Sequence, residues 1–331
     1  MSEATVQMLP LMGKRTPSET TVTALPPLRR FLPEVQGLRA LAVLMVVSYH
    51  VWFDRISGGV DVFLLISAFF LTGQFVRKLE SGEPFGLIKY WIKLSQRLMP
   101  MLTLTLLATL GATYLLLPQS RWNSILEQTW ASLFYFQNWF LAAQAVDYYA
   151  PDHSTASPLQ HFWSLAIQGQ FFLLWPIIFV VAALAAQVFH VRARPLLIWI
   201  FSGIFLTSLG FSIMTTYSNQ AFAYFDTRTR LWEFALGSLL ALALPYLQLS
   251  TGTRLFFGWF GVAAMLSCGF MLQIGQQFPG YLALWPTLAA SCVIAAGATG
   301  SRFGADRLLS TKPLVKLGNN SYALYLFHWP D

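Results

Sequence analysis

The chain has 331 residues, of which 56% are hydrophobic, 16% are aromatic and only 11% are charged. Soluble domains carry about a quarter charged residues, so this sequence has too few charges to cover a water-facing surface. A lipid bilayer must therefore be most of its solvent. This excludes a cytosolic enzyme, a secreted disulfide-bonded protein and a nucleic-acid-binding module. The net charge of +7 is typical of a membrane protein with basic cytoplasmic loops.

Residues 1–32 are polar and basic, and we expect them to form a disordered cytoplasmic tail ahead of a transmembrane domain over 33–331. The two cysteines, Cys268 and Cys292, both lie in apolar runs. Their spacing predicts neither a disulfide nor a metal site.

Apolar runs of helical character recur along the rest of the chain, and none alternates with the period of two that a barrel would need. A crossing requires about 20 such residues. The sequence therefore predicts an all-α fold, a polytopic transmembrane helical bundle. The candidate segments are 38–53, 60–76, 98–117, 125–145, 162–189, 196–217, 231–247, 255–274, 281–298 and 317–330.

Lysine and arginine placement sets the expected orientation, with the N-terminus and the basic loops in the cytoplasm. If all basic loops are cytoplasmic, segment 125–145 cannot cross fully, and it becomes a re-entrant or interfacial element beside nine crossings. The alternative is ten crossings, with Arg192 and Arg194 on the wrong side. The last segment has too few residues after Asn320 to complete a span, so we expect a chain truncated in its last span.

Ionisable groups within apolar segments are functional candidates, because the bilayer makes them costly. Arg39 and His50 lie in the first segment, eleven residues apart. At about 100° and 1.5 Å per residue they share one helical face and stand about 16 Å apart along the axis. Histidine suits proton abstraction from a hydroxyl, and arginine suits a phosphate. The alternative is an anchoring arginine and a core histidine.

Asp61 begins the second segment after a glycine turn. It could orient the ring of His50, as a carboxylate does in a catalytic relay. Equally, it could be a carboxylate that stabilises the first turn of its own helix.

A third group of polar residues opens segment 162–189. His161, Ser164 and Gln168 fall on one helical face, where they could line a cavity. Alternatively they belong, with Trp163, to an interfacial aromatic belt.

Further charges precede segment 231–247 and follow the second segment. Arg230 and Glu233 are spaced to pair, as a structural ion pair or as a substrate contact. Lys93 and Arg97 form a basic rim that could meet an anionic cofactor or anionic lipid.

These motifs, in this order, resemble membrane-bound acyltransferase family 3, bacterial O-acyltransferases of surface polysaccharides and lipids. The resemblance covers nearly all of the chain after the tail. The matching stretches are Gly37–Val43 through His50, Gly59–Phe63 through Ser67, Arg97–Pro100, His161–Leu165 through Phe171, Trp232–Glu233 through Gly237, and Ser321–Tyr322 through Pro330.

The resemblance implies a multi-pass enzyme of the bacterial plasma membrane. It would transfer an acyl group, usually acetyl from cytoplasmic acetyl-CoA, to a hydroxyl of an envelope polysaccharide or glycolipid on the outer face, without a metal or nucleic acid. His50 carries over as the catalytic histidine, acting as a base or as a transient acyl acceptor, with Asp61 as a second motif position.

The remaining candidates divide between cofactor binding and substrate binding. Arg39, Lys93 and Arg97 are predicted to contact the acyl-CoA. The predicted substrate-binding residues are His161, Trp163, Ser164, Gln168, Arg230 and Glu233.

The chain departs from the family at 167–171, where many members have Val-Glu-Glu-Gln-Phe and this chain has Gln168 and Gly169 in place of the carboxylates. Buried cations and aromatic clefts also fit a different class of protein, a transporter or flippase of a lipid-linked substrate.

Overall fold

The fold is described from a computed structural model that covers residues 32–53, 58–144, 157–271 and 277–328. The predicted disordered tail lies outside these residues, apart from its last position. The last three residues of the chain also lie outside them.

The described residues are mostly helical and contain no strand, as the pattern of apolar runs predicts. The helices are α1 Pro33–Ser48, α2 Gly59–Ser81, α3 Leu87–Leu116, α4 Trp122–Leu133, α5 Gln137–Ala143, α6 Phe162–Val188, α7 Ala193–Ser218, α8 Gln220–Phe225, α9 Leu231–Ala243, α10 Thr251–Met271, α11 Leu284–Ala296, α12 Ala305–Leu309, α13 Lys312–Asn319 and α14 Ser321–Phe327.

Five of these segments are long and apolar enough to cross a bilayer: Pro33–Trp52, which extends α1 by one turn, together with α2, α3, α6 and α7. The shortest has 20 residues, which at about 1.5 Å per residue spans the hydrocarbon core. Their outward faces carry large apolar side chains, such as Leu116 and Trp199, that are more than three-quarters exposed. The chain is a multi-pass membrane protein, and the total of nine or ten crossings stays a prediction.

One end of the bundle gathers the C-termini of α2, α6 and α9. Arg194, in the first turn of α7, forms a salt bridge of 2.6 Å with Glu80 near the end of α2. The same guanidinium donates to the carbonyl of Leu242 at the end of α9, at 2.7 Å. The basic α6–α7 loop therefore lies at the same end as the basic C-terminal turns of α2.

Segment 125–145 forms two short helices instead of one long one. Helix α3 starts at the end where α2 finishes and has 30 residues, enough to reach the opposite end, where α6 begins. Between them, α4 runs inward and the chain reverses at Tyr135, which has a φ of 59°. The ring of Tyr135 packs on Gly169, about 10 Å along α6 from its start. This geometry favours the re-entrant interpretation.

The C-terminal helices pack closely along α1, and two glycines permit this approach. A Cβ added at Gly37 would lie 1.9 Å from the carbonyl oxygen of Leu309, and one at Gly318 would lie 1.9 Å from that of Gln36. Only glycine fits at either crossing. The close approach places α13 and then α14 beside α1, where they contribute to the site.

Candidate active site

Helix α14 lies beside α1 and bonds to both of the ionisable residues that the first segment contains. Arg39 donates from Nη2 to Ser321 Oγ at 2.9 Å, at the start of α14. His50 Nδ1 lies 2.9 Å from His328 Nε2, at the end of α14. Both residues of the Arg39–His50 pair therefore face the same neighbouring helix, as their spacing predicts.

His50 does not lie on a regular α-helical turn. Residues Tyr49–Phe53 form a single π-helical turn that extends α1. Such turns are rare and occur often at functional sites, because the wider turn re-aims the side chains that it carries. The turn directs His50 towards the end of α14.

Three imidazole rings meet at this end of the bundle. The rings of His50 and His328 are stacked, with their centroids 5.2 Å apart and their planes 14° apart. His161, immediately before α6, packs edge-on against His328 at 5.5 Å. Its Nε2 donates to the carbonyl of Leu326 at 3.2 Å, because a carbonyl oxygen can only accept.

A small cavity lies between α1, α2, α6 and α14. The polar side chains that line it are those of Arg39, Ser67, Ser164, Gln168, Ser321, Tyr322 and Tyr325. Ser164 and Gln168 therefore face a cavity, as their helical spacing predicts. His161, the third residue of that predicted stripe, contacts the histidine cluster instead.

Tyr325 separates the cavity from the histidines. It lines the cavity, and its ring also packs against that of His328, with centroids 5.1 Å apart. Its hydroxyl lies 2.6 Å from Ser164 Oγ and donates to the carbonyl of His161 at 3.0 Å. His50 itself is outside the cavity lining, so a chain threaded from Arg39 towards His50 must pass Tyr325.

Arg39 lines the other end of the cavity, whereas Lys93 and Arg97 lie outside its lining. Arg39 is half-buried, and its hydrogen bonds go to two neutral oxygens, those of Gln36 and Ser321. The positive charge of Arg97, on α3, is close enough to repel the charge of Arg39. Lys93 lies one helical turn before Arg97, and both of these side chains are exposed. Among the described residues, none of these three cations forms a salt bridge, and such a group suits a polyanion.

Asp61 forms a buried ionic cluster on the other side of α2. Arg230 Nη1 donates to Asp61 Oδ1 at 2.6 Å and to Glu233 Oε1 at 2.9 Å. The pairing of Arg230 with Glu233 that the spacing predicts is present. Of the two possibilities that the sequence leaves open for Asp61, the structure does not support the pairing with His50, because Asp61 bonds to Arg230 and His50 Nδ1 faces His328. A buried carboxylate is held more strongly by a guanidinium than by a neutral ring.

Aromatic rings enclose this cluster. Trp163 lies 5.2 Å from the Arg230 guanidinium, and the rings of Tyr224 and Phe278 lie at 5.3 Å and 5.4 Å. Trp163, Arg230 and Glu233 are each at most 1% exposed. Their predicted role in substrate binding stays a prediction; in this structure Arg230 bonds to Glu233 and packs against Trp163.

The departure at 167–171 has a structural basis. A Cβ at Gly169 would lie 2.2 Å from the ring of Tyr135, so the re-entrant turn excludes any side chain there. Gln168 stands at the other position where many members have a glutamate, and its amide donates to Ser67 Oγ at 2.5 Å. The cavity therefore carries a neutral hydrogen-bonding group at that position.

The sequence assigns no role to His328 or Tyr325, both of which lie within the stretch from Ser321 to Pro330, nor to the cavity-lining residues Ser67, Ser321 and Tyr322. The signal that could have found His328 is a histidine at the end of an apolar segment, the feature that drew attention to His50.

Comparison with known proteins assigns the chain to a protein family. The family pattern described as "Acyltransferase domain" matches residues 32–331. The chain belongs to this acyltransferase family. No solved structure matches it significantly.

Two relatives illustrate the similarity. O-acetyltransferase OatA of Staphylococcus aureus (strain NCTC 8325 / PS 47) is 30% identical over 320 residues, which cover 91% of this chain and 50% of that protein. The putative peptidoglycan O-acetyltransferase YrhL of Bacillus subtilis (strain 168) is 28% identical over 318 residues, which cover 91% and 48%. The chain thus spans about half the length of these curated relatives.

Proposed function

We propose that this chain transfers an acetyl group from cytoplasmic acetyl-CoA to a hydroxyl of a cell-envelope glycan on the outer face of the membrane. The main observation in support of this proposal is that Arg39, on α1, and His50, on the π-helical turn that extends it, bond to the start and to the end of α14. A histidine and an arginine, near opposite ends of one transmembrane helix, both bond to the same neighbouring helix. The family membership and the names of the relatives support acyl transfer as the reaction.

The cationic end is proposed as the donor site. Arg39, Arg97 and Lys93 would bind the phosphates of acetyl-CoA, since guanidinium groups match phosphate oxygens in geometry and charge. Basic loops near α2 and α6 support a cytoplasmic location for this end, and the N-terminus is proposed to lie on the same side. The thioester arm would enter the cavity and pass Tyr325 to reach His50.

The histidine end is proposed as the reaction site. His50 would remove the proton from the acceptor hydroxyl as its oxygen forms a bond to the acetyl carbonyl carbon. The carbon–sulfur bond then breaks, and the proton on His50 passes to the departing CoA thiolate. The products are the acetyl ester and free CoA, so atoms and charge balance.

The acceptor is proposed to be a polysaccharide hydroxyl, with peptidoglycan as the first candidate because a relative carries that name. A glycolipid hydroxyl would offer the same chemistry. Ser164 and Gln168 are proposed to bind the acyl arm through their hydroxyl and amide groups, because both line the cavity.

Radiolabelled acetyl-CoA supplied to inverted membrane vesicles tests the proposal. Label should appear in the luminal glycan with the wild type and fall by at least about 100-fold in His50→Ala, the range of general-base catalysis. His190→Asn is the matched control, since His190 is exposed in the α6–α7 loop, and it should retain activity. Equal labelling by His50→Ala would reject His50 as the base.

The donor site has its own test. Arg39→Gln should raise the KM for acetyl-CoA with a smaller change in kcat, while Arg302→Gln, an exposed arginine, should change neither. An unchanged KM in Arg39→Gln would remove Arg39 from the donor site. Movement of a lipid-linked substrate across the vesicles with no acetyl donor would instead favour a transporter.

A further inference from the structure

The hydrogen bonds of His328 determine where its proton lies. His328 Nδ1 is 2.6 Å from the carbonyl oxygen of Tyr325. A carbonyl oxygen has no proton to give, so Nδ1 of His328 must be the donor. A neutral imidazole carries one N–H, and Nε2 of a neutral His328 therefore presents a lone pair.

This lone pair in turn determines the tautomer of His50. The 2.9 Å contact between His50 Nδ1 and His328 Nε2 needs one proton, and it must come from His50. We propose that His328 is a positioning residue that holds His50 in its Nδ1–H tautomer, so that Nε2 of His50 carries the lone pair that takes the acceptor proton. The proposal rests on the function proposed above.

The surroundings hold His328 in the orientation that this role requires. Its ring is stacked on that of His50 and is met edge-on by His161. The carbonyl that accepts the hydrogen bond from His328 Nδ1 belongs to Tyr325. The hydroxyl of Tyr325 is itself hydrogen-bonded to Ser164. A rotation of the His328 ring would break the bonds to Tyr325 and to His50 together.

His328 takes the place that a carboxylate occupies in a catalytic triad. When His50 takes up a proton at Nε2, its Nδ1–H still donates to Nε2 of His328, so the cation keeps this hydrogen bond. Asp61, which the sequence suggested for this task, is held by Arg230.

Nuclear magnetic resonance of the purified full chain, labelled with ¹⁵N-histidine, tests the tautomer directly. The five histidines can be assigned by replacing each in turn. At neutral pH we expect His50 to show a protonated Nδ1 and an unprotonated Nε2. A protonated Nε2 on neutral His50 would overturn the proposal, and this measurement needs no activity.

Two near-isosteric variants test the consequence for the reaction. The amide oxygen of His328→Gln can stand where Nε2 stood and accept from His50, whereas the shorter side chain of His328→Asn reaches only the position of Nδ1. We expect His328→Asn to lower kcat by about 100-fold at unchanged KM for acetyl-CoA, and His328→Gln to recover at least about tenfold of that loss.

The outcomes separate the two proposals. Full activity of His328→Asn beside an inactive His50→Ala would reject the role of His328 and leave the proposed function intact. Equal activity of His50→Ala would reject His50 as the base and with it the role of His328. Absence of acetyl transfer by the wild type would reject the proposed function, while the tautomer measurement would still stand. If His328→Asn fails to fold, as judged by gel filtration, the wild-type tautomer alone decides.

Discussion

Replacing Arg230 with methionine should destabilise the protein more than any other single charge removal described above. The guanidinium is 1% exposed and lies between two carboxylates that are at most 3% exposed. Methionine keeps much of the apolar contact with Trp163 but leaves Asp61 and Glu233 without a cation. Breaking a buried ion pair by removing one partner costs about 3–5 kcal/mol.

This magnitude is large against a typical stability of about 5–15 kcal/mol. At roughly 2–4 °C per kcal/mol for a large domain, the Tm should fall by about 6–20 °C. Intrinsic tryptophan fluorescence of detergent-solubilised protein during heating measures this shift. Asp61→Asn should cost less, because Arg230 keeps Glu233 at 2.9 Å and loses one charge-assisted hydrogen bond, worth about 1.5–3 kcal/mol.

Arg228 supplies the matched control. It lies two residues away and pairs with Asp226 at 3.0 Å, but its side chain is 64% exposed. Such exposed pairs contribute about 0–1 kcal/mol, so Arg228→Met should leave the Tm nearly unchanged. If the Tm of the Arg230→Met protein lies within about 2 °C of that of the Arg228→Met protein, the ionic cluster does not stabilise the fold.

Two further substitutions test the re-entrant turn and the tyrosine beside the cavity. Gly169→Ala should lower the Tm and reduce acetyl transfer, because its Cβ would lie 2.2 Å from the Tyr135 ring and overpacking costs about 1–3 kcal/mol. Tyr325→Phe should lower the Tm by a comparable amount. It removes the hydroxyl that lies 2.6 Å from Ser164 Oγ, so the buried Ser164 hydroxyl loses this hydrogen bond. Thermal unfolding and the vesicle assay measure both.

Gly203 provides the comparison for the glycine variant, since no heavy atom lies within 4 Å of a Cβ placed there. Gly203→Ala should be neutral or slightly stabilising, because alanine is the better helix former. A Gly169→Ala protein that behaves like Gly203→Ala would contradict the packing of Tyr135 on α6. Wild-type stability of Tyr325→Phe would show that the hydroxyl is not needed to hold α14 against α6.

Local sequence properties predict that the protein lies in a bilayer, that it is helical, and which functional residues share a helix face. The scarcity of charge indicates a bilayer, since no other solvent accepts so much apolar surface. Helical geometry places Arg39 and His50 on one face and predicts that Ser164 and Gln168 line a cavity, because these relations involve residues on the same helix. Charge placement in the loops also suggested that 125–145 does not cross, which the turn at Tyr135 favours.

Only the tertiary structure determines which side chains bond to Asp61 and to His50. Asp61 could face His50 or stabilise its own helix by sequence alone, yet it bonds to Arg230, 169 residues away. His50 meets His328, 278 residues away, because glycine crossings bring the last helices against the first. Periodicity relates residues on one helix, whereas the contacts that select a proton acceptor depend on how separate helices pack.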